Sequence, residues 1–241
     1  ALRPYELRRG QTDEIYQAWT GRLFRLIETR PRFPQFVAQM RQAADAFAEI
    51  AVDRSRKLPR IGVVGEIYVR HHDFANQHLL RQLEGLGAET TLASFCEWIF
   101  YLNANRKSDA RREWHLGQWL KNALQDHHQH RVLKRLSEPF ERLVGPLTEP
   151  PVAELLDLTD PYLHRTARGG DAVVSLGKAI ELHRHGCHGV INVMPFSCMP
   201  STIAAGIMKK LAATLVPMPL LSISYDGQQD PTLSTRLEAF L

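Results

Sequence analysis

Three features of the sequence predict an α/β fold built on a parallel four-stranded sheet. Short apolar runs recur at 61–66, 189–194 and 220–224, with a weaker one at 89–93, the pattern of strands covered on both faces. Segments of helical period separate them, and Gly and Pro punctuate the joins. Alternation of this kind builds βαβ units with right-handed crossovers, which gives a Rossmann-like sheet with helices on both faces.

The elements follow in order. Ile15, Trp19, Leu23 and Leu26 recur at helical spacing over 12–29, with Thr12 placed as the N-cap. Pro31 and Pro34 break that helix. A second helix, from about 35 to 54, carries Phe36, Met40, Ala43, Phe47 and Ile50 on one face. Ile61-Gly62-Val63-Val64-Gly65 is the first strand, followed by a helix from about 74 to 86 that Gly87 stops. After the second strand, 95–143 reads as a long helical stretch interrupted near Asn103–Asn105. Gly145, Pro146, Pro150 and Pro151 mark a loop. Helices at 171–185, 200–215 and 232–241 flank the third and fourth strands. The expected organisation is a helical hairpin at 1–58 packed on an α/β domain at 59–241, with a helical insertion at about 95–160.

Composition narrows the function classes. The 241 residues are 44% apolar and 23% charged, with 15 Gly and 14 Pro, which excludes disorder, collagen-like repeats and coiled-coil arrays. No apolar run approaches the roughly 18 residues that a transmembrane helix needs, so no membrane partner is expected. No signal peptide opens the chain. It begins at Ala1 without Met and reads as a piece of something longer. Three cysteines, an odd and sparse number, point to a reducing cytoplasm. Residues 1–60 hold 12 Lys and Arg against 7 Asp and Glu. These charges are spread along helical sequence and read as a solvated face; no nucleic-acid signature accompanies them.

Chemistry is expected where the strands exit, because ligands of open parallel sheets bind beyond the carboxyl ends. Three exits are polar: Gly65-Glu66-Ile67-Tyr68-Val69-Arg70, then Met194 through Thr202, then Tyr225-Asp226-Gly227-Gln228. Glu66 and Asp226 form a candidate acid/base pair, and structural hydrogen bonding for each is the competing reading. Arg70, Ser201 and Thr202 are candidate substrate-binding residues. Cys198 stands just before a helix that opens Pro200-Ser201-Thr202, where free N–H groups favour an anion or a thiolate. It is a candidate nucleophile or metal ligand, against the alternative of a buried structural cysteine; Phe196 and Met199 are expected to keep water off it. His183-x-His185-x-Cys187-His188 and Asp126-His127-His128-x-His130 have metal-like composition, but neither has the four-ligand spacing of zinc.

The run Ile61 to Arg70, with Asn76 and Leu83-Glu84, resembles the CoA-substrate-specific enzyme activases in their region related to 2-hydroxyacyl-CoA dehydratase subunits. Asn192-Val193-Met194-Pro195-Phe196-Ser197-Cys198-Met199-Pro200 is similar to that region's signature. Tyr225-Asp226-Gly227-Gln228, Thr235 to Phe240 and Arg3-Pro4-Tyr5-Glu6 extend the likeness over essentially the whole chain. The resemblance implies ATP-driven, low-potential electron transfer to a substrate such as a CoA thioester. It implies an iron–sulfur cluster of the [4Fe–4S] type with Cys198 as one ligand, the others lying in an upstream dehydratase-like domain. ATP would act only through a separate BadF/BadG-type ATPase component, and a homodimer is a further expectation. The fragment alone is expected to be inactive. A non-catalytic scaffold that docks the ATPase through its basic hairpin, or an α/β small-molecule-binding domain, is the rival reading.

Overall fold

A computed structural model describes residues 2–145, 147, 150–164, 170–214 and 218–241. Pro146 of the expected loop and Leu215 of the expected 200–215 helix lie outside these residues. The chain forms two compact units, one of Ala1–Lys57 with Leu120–Thr148, the other of Leu58–Trp119 with Glu149–Leu241. The leading hairpin therefore shares its unit with the middle of the helical insertion, 120–148.

In the first unit, a short turn at Arg3–Tyr5 leads to α1 (Gln11–Glu28) and α2 (Phe33–Ala48). Trp19 and Ala43 are buried on the expected faces, and Ala44 and Ile50 are buried as well. Thr12 is not the N-cap. Gly10 holds that position, and the Glu6 carboxylate accepts the N–H groups of Gly10 (2.6 Å) and Thr12 (2.8 Å). The second helix also stops earlier than expected. Beyond it the chain turns extended, and Val52 bridges Glu6 while Asp53 N–H donates to the Tyr5 carbonyl at 2.8 Å. Phe47 meets Phe140 with ring centroids 6.2 Å apart, packing α2 on the turn at Glu138–Phe140.

In the second unit, β1 (Arg60–Gly65) is followed by α3 (Ile67–His71), α4 (Leu79–Gly85) and β2 (Glu89–Leu92). The helix expected over 74–86 is α4, which starts only at Leu79, and the separate short α3 precedes it. Asn76, 1% exposed, separates them. Its amide donates to the Val69 and Arg70 carbonyls and its Oδ1 accepts the Leu79 N–H. One side chain so serves the end of α3 and the start of α4, with Gln77 and His78 turned left-handed between them.

Next come α5 (Phe95–Arg112), capped by Ser94, and α6 (Leu116–Ser137), which passes into the first unit. The break falls at 113–115, where Trp114 has φ +58°, and not at Asn103–Asn105. Asn103 is buried inside α5, so tertiary burial overrides its weak helix propensity. The first unit ends with α7 (Glu141–Val144). The second resumes with α8 (Val152–Thr159), α9 (Asp171–Arg184), β3 (Gly189–Pro195), α10 (Met199–Thr214), β4 (Leu220–Tyr225) and α11 (Leu233–Phe240).

The four strands are parallel in the order β2-β1-β3-β4. On one face Val64 and Val190 pack with Leu176 and Ile180 of α9 and Met208 and Leu211 of α10. On the other, Val63, Ile191 and Ile223 pack with Leu79, Leu83, Leu233 and Leu237 of α4 and α11. The fold is α/β and Rossmann-like. No helix among the described residues is long and apolar enough to cross a membrane.

Candidate functional site

Because all four strands run the same way, their carboxyl ends share one edge. Glu66, Cys198 and Asp226 follow β1, β3 and β4, so all three stand at that edge. The chain leaves β1 towards the α3/α4 face and β3 towards the α10 face, making the junction of β1 and β3 the topological switch point. Gly65 has φ +114° there, and a Cβ would strike the Val193 carbonyl, so β1 turns out of the sheet at a residue that must be glycine.

Glu66 caps α3. Its two carboxylate oxygens accept the N–H groups of Tyr68 (3.1 Å) and Val69 (2.8 Å). Both oxygens are committed to the backbone, which supports the structural reading over an acid/base pair with Asp226. Arg70 is turned into the fold and away from the open edge. Its side chain is 3% exposed, and it donates to the carbonyls of Gly65 (3.3 Å) and Ser94 (3.0 Å) and to Glu97 Oε1 (3.5 Å). A guanidinium so enclosed ties β1, α3 and α5 together, which supports a structural reading of Arg70.

Cys198 is half-buried at the foot of α10. The Ser201 hydroxyl, itself buried, donates to its Sγ at 3.3 Å, and the Thr202 hydroxyl donates to its carbonyl at 2.8 Å. Ser201 and Thr202 thus serve the first turn of α10, Ser201 at the thiol itself. Ser197 is left-handed at φ +61°, and Phe196 N–H donates to the Tyr225 carbonyl, tying this exit to the end of β4. Phe196 and Met199 are 70% and 71% exposed. They point away from the protein's own core and do not shield the thiol from water in this chain.

Asp226 is exposed, with Oδ1 accepting the Gln228 N–H at 2.9 Å. It lines a surface hollow of about 300 Å³ with Gln77, Phe196 and Ser224. A neighbouring hollow of about 690 Å³ is walled by Phe74, His78, Gln82 and Leu233. Gln77, Gln228, Gln229, Asp230 and Pro231 border both. Gln77 straps this loop, donating to the Gln228 carbonyl at 2.8 Å and accepting the Asp230 N–H at 3.3 Å. The Thr232 hydroxyl and N–H hold the Asp230 carboxyl below its usual range, and Arg236 pairs with it at 3.2 Å. Cys198 lines neither hollow, and Arg70 lies in a separate buried one. The expected residues share an edge but not a cleft. Sequence reasoning missed Gln77 and Glu97, which no local motif marks.

The histidine-rich segments do not converge. His188 Nδ1 accepts the Arg60 N–H, His185 sits on Glu181, and Cys187 is buried, which pushes its thiol up. His130 Nδ1 lies 2.8 Å from the Asp126 carbonyl, and His127 faces Arg131. Among the described residues no three His, Cys, Asp or Glu side chains gather as metal ligands. Clusters of the [4Fe–4S] type are held by several thiolates, and the described residues bring no such set together. No family model matches the chain, and neither do the curated proteins or the solved structures.

Proposed function

We propose that the chain is a dehydratase-like α/β domain of an activase-type iron–sulfur redox protein, with Cys198 supplying one thiolate to a [4Fe–4S] cluster completed by an upstream domain. The observation that carries this reading is the setting of Cys198. It stands beyond β3 at the first turn of α10, half-accessible, with a hydroxyl donating to its sulfur and two large exposed apolar side chains beside it. Free N–H groups and the helix dipole favour negative charge at that point. A donor to sulfur orients a ligand thiolate and tunes it. Exposed Phe196 and Met199 suit a surface that a neighbouring domain covers.

When bound, the cluster would supply low-potential electrons for a substrate such as a CoA thioester. This chain's own part is to hold one sulfur and form one wall of the pocket. The partners in this reading are the upstream dehydratase-like domain and a BadF/BadG-type ATPase component, in the cytoplasm. The test is iron per chain in the anaerobically purified full-length protein. Cys198→Ser removes or destabilises the iron, while Cys187→Ser and Cys96→Ser leave it unchanged. Unaltered iron in Cys198→Ser, or equal loss in Cys187→Ser, overturns the assignment.

A second reading, an α/β domain that binds a small molecule without catalysis, is favoured by the hollow of about 690 Å³ beside β4, a volume usual for ligand sites. A colourless, iron-free full-length protein selects it, or the related scaffold that docks the ATPase.

A further inference from the structure

Arg70 is a buried cation with an incomplete set of partners. Its Nη1 and Nη2 are used by the Gly65 and Ser94 carbonyls and by Glu97. Its Nε has no hydrogen-bond partner among the described residues, although the side chain is only 3% exposed. An N–H buried without an acceptor is costly, and in native proteins such a group usually marks an ordered water or ion. Arg70 also lines a hollow of about 10 Å³, with Gly65, Glu97, Trp98, Val174 and Ser175. That volume is about what one water molecule requires.

We propose that this hollow, at the switch point beneath the carboxyl end of β1, is a binding site for a single structural water that accepts the Arg70 Nε–H. Both the size of the hollow and the chemistry of its wall select water over a halide. The occupant must accept from the guanidinium while facing the Glu97 carboxylate, and water can donate to a carboxylate where an anion is repelled by it. The buried Ser175 hydroxyl offers a further polar contact. The site joins β1, α3, α5 and α9 through one molecule, and it fills the crevice that this topology commonly gives to a ligand. It stands apart from Cys198 and owes nothing to the cluster reading.

The test is a high-resolution crystal structure of the chain grown in bromide. One oxygen-sized peak at about 2.7–3.2 Å from Arg70 Nε, without anomalous signal, supports the site. A dry hollow, an anomalous bromide peak there, or a protein acceptor at Nε overturns it.

Discussion

The Arg70 guanidinium and the Glu97 carboxylate meet at 3.5 Å with side chains 3% and 1% exposed, joining α3 to α5 out of reach of solvent. Removing one member of such a pair leaves a buried charge uncompensated, at a cost of about 3–5 kcal/mol, whereas replacing both with apolar groups is often nearly neutral. Arg70→Met and Glu97→Met should therefore each be severely destabilised in urea. The double variant should be more stable than either single one. Additive losses would mean that the two groups act independently.

Two helical glycines should respond in opposite directions to alanine. A Cβ on Gly177 would sit 2.5 Å from the Leu155 carbonyl and 2.9 Å from Thr159 Oγ1, so Gly177→Ala forces α8 away from α9. A Cβ on Gly206, in α10, meets nothing within 4 Å. Gly206→Ala should raise stability by about 0.5–1 kcal/mol through helix propensity and lost unfolded-state freedom. Melting curves of the two variants check both signs.

Tyr225 should set an alkaline limit on folding. Burial raises its phenol above the ordinary value of 10.0, with Arg236 opposing in part and Asp230 adding to the rise. Above about pH 10 the unfolded chain releases this proton while the folded chain retains it, so stability is full below that pH and falls as pH rises towards the folded value. The hydroxyl has no hydrogen-bond partner among the described residues. Tyr225→Phe should hold or raise neutral-pH stability and flatten the alkaline loss. Denaturant midpoints from pH 7 to 11 measure this, and an unchanged alkaline slope refutes the role.

The cysteines should differ in reactivity. Cys187 is 3% exposed and burial raises its thiol pKa, whereas Cys96 and Cys198 are half-accessible. Under native conditions at pH 8, alkylation followed by mass spectrometry should label Cys187 last, because thiolates react and burial both shields this thiol and raises its pKa. Early labelling of Cys187 would contradict its burial in the core between β1, β3 and α9.

Strand positions were legible because a buried parallel strand must be apolar on both faces, as Val190 and Ile191 show by packing on opposite clusters. Helix ends were less legible where distant groups set them. Nothing local shows that Glu6 caps α1, or that Asn76 holds a turn that delays the start of α4 to Leu79. Ile50 is buried although it lies beyond the end of α2 at Ala48. The edge that carries Glu66, Cys198 and Asp226 followed from parallel topology alone. The grouping into one cleft did not, because Arg70 is drawn inward by Glu97, a residue some thirty positions away that no spacing rule connects to it.

The register of β1 against β3 sets Ile61 beside Gly189 and Gly65 beside Val193, with much of the chain's length between them. Doubling a loop costs only about 0.6 kcal/mol, so the closed sheet loses little stability to this distance. The speed of folding is another matter, since pairings so remote in sequence form slowly. During synthesis β1 emerges with β2 as its neighbour, a strand of four residues at the sheet's edge. Its other flank stays open until β3 leaves the ribosome, and through that interval the run Val63-Val64 is a sticky strand edge of the kind that chaperones bind.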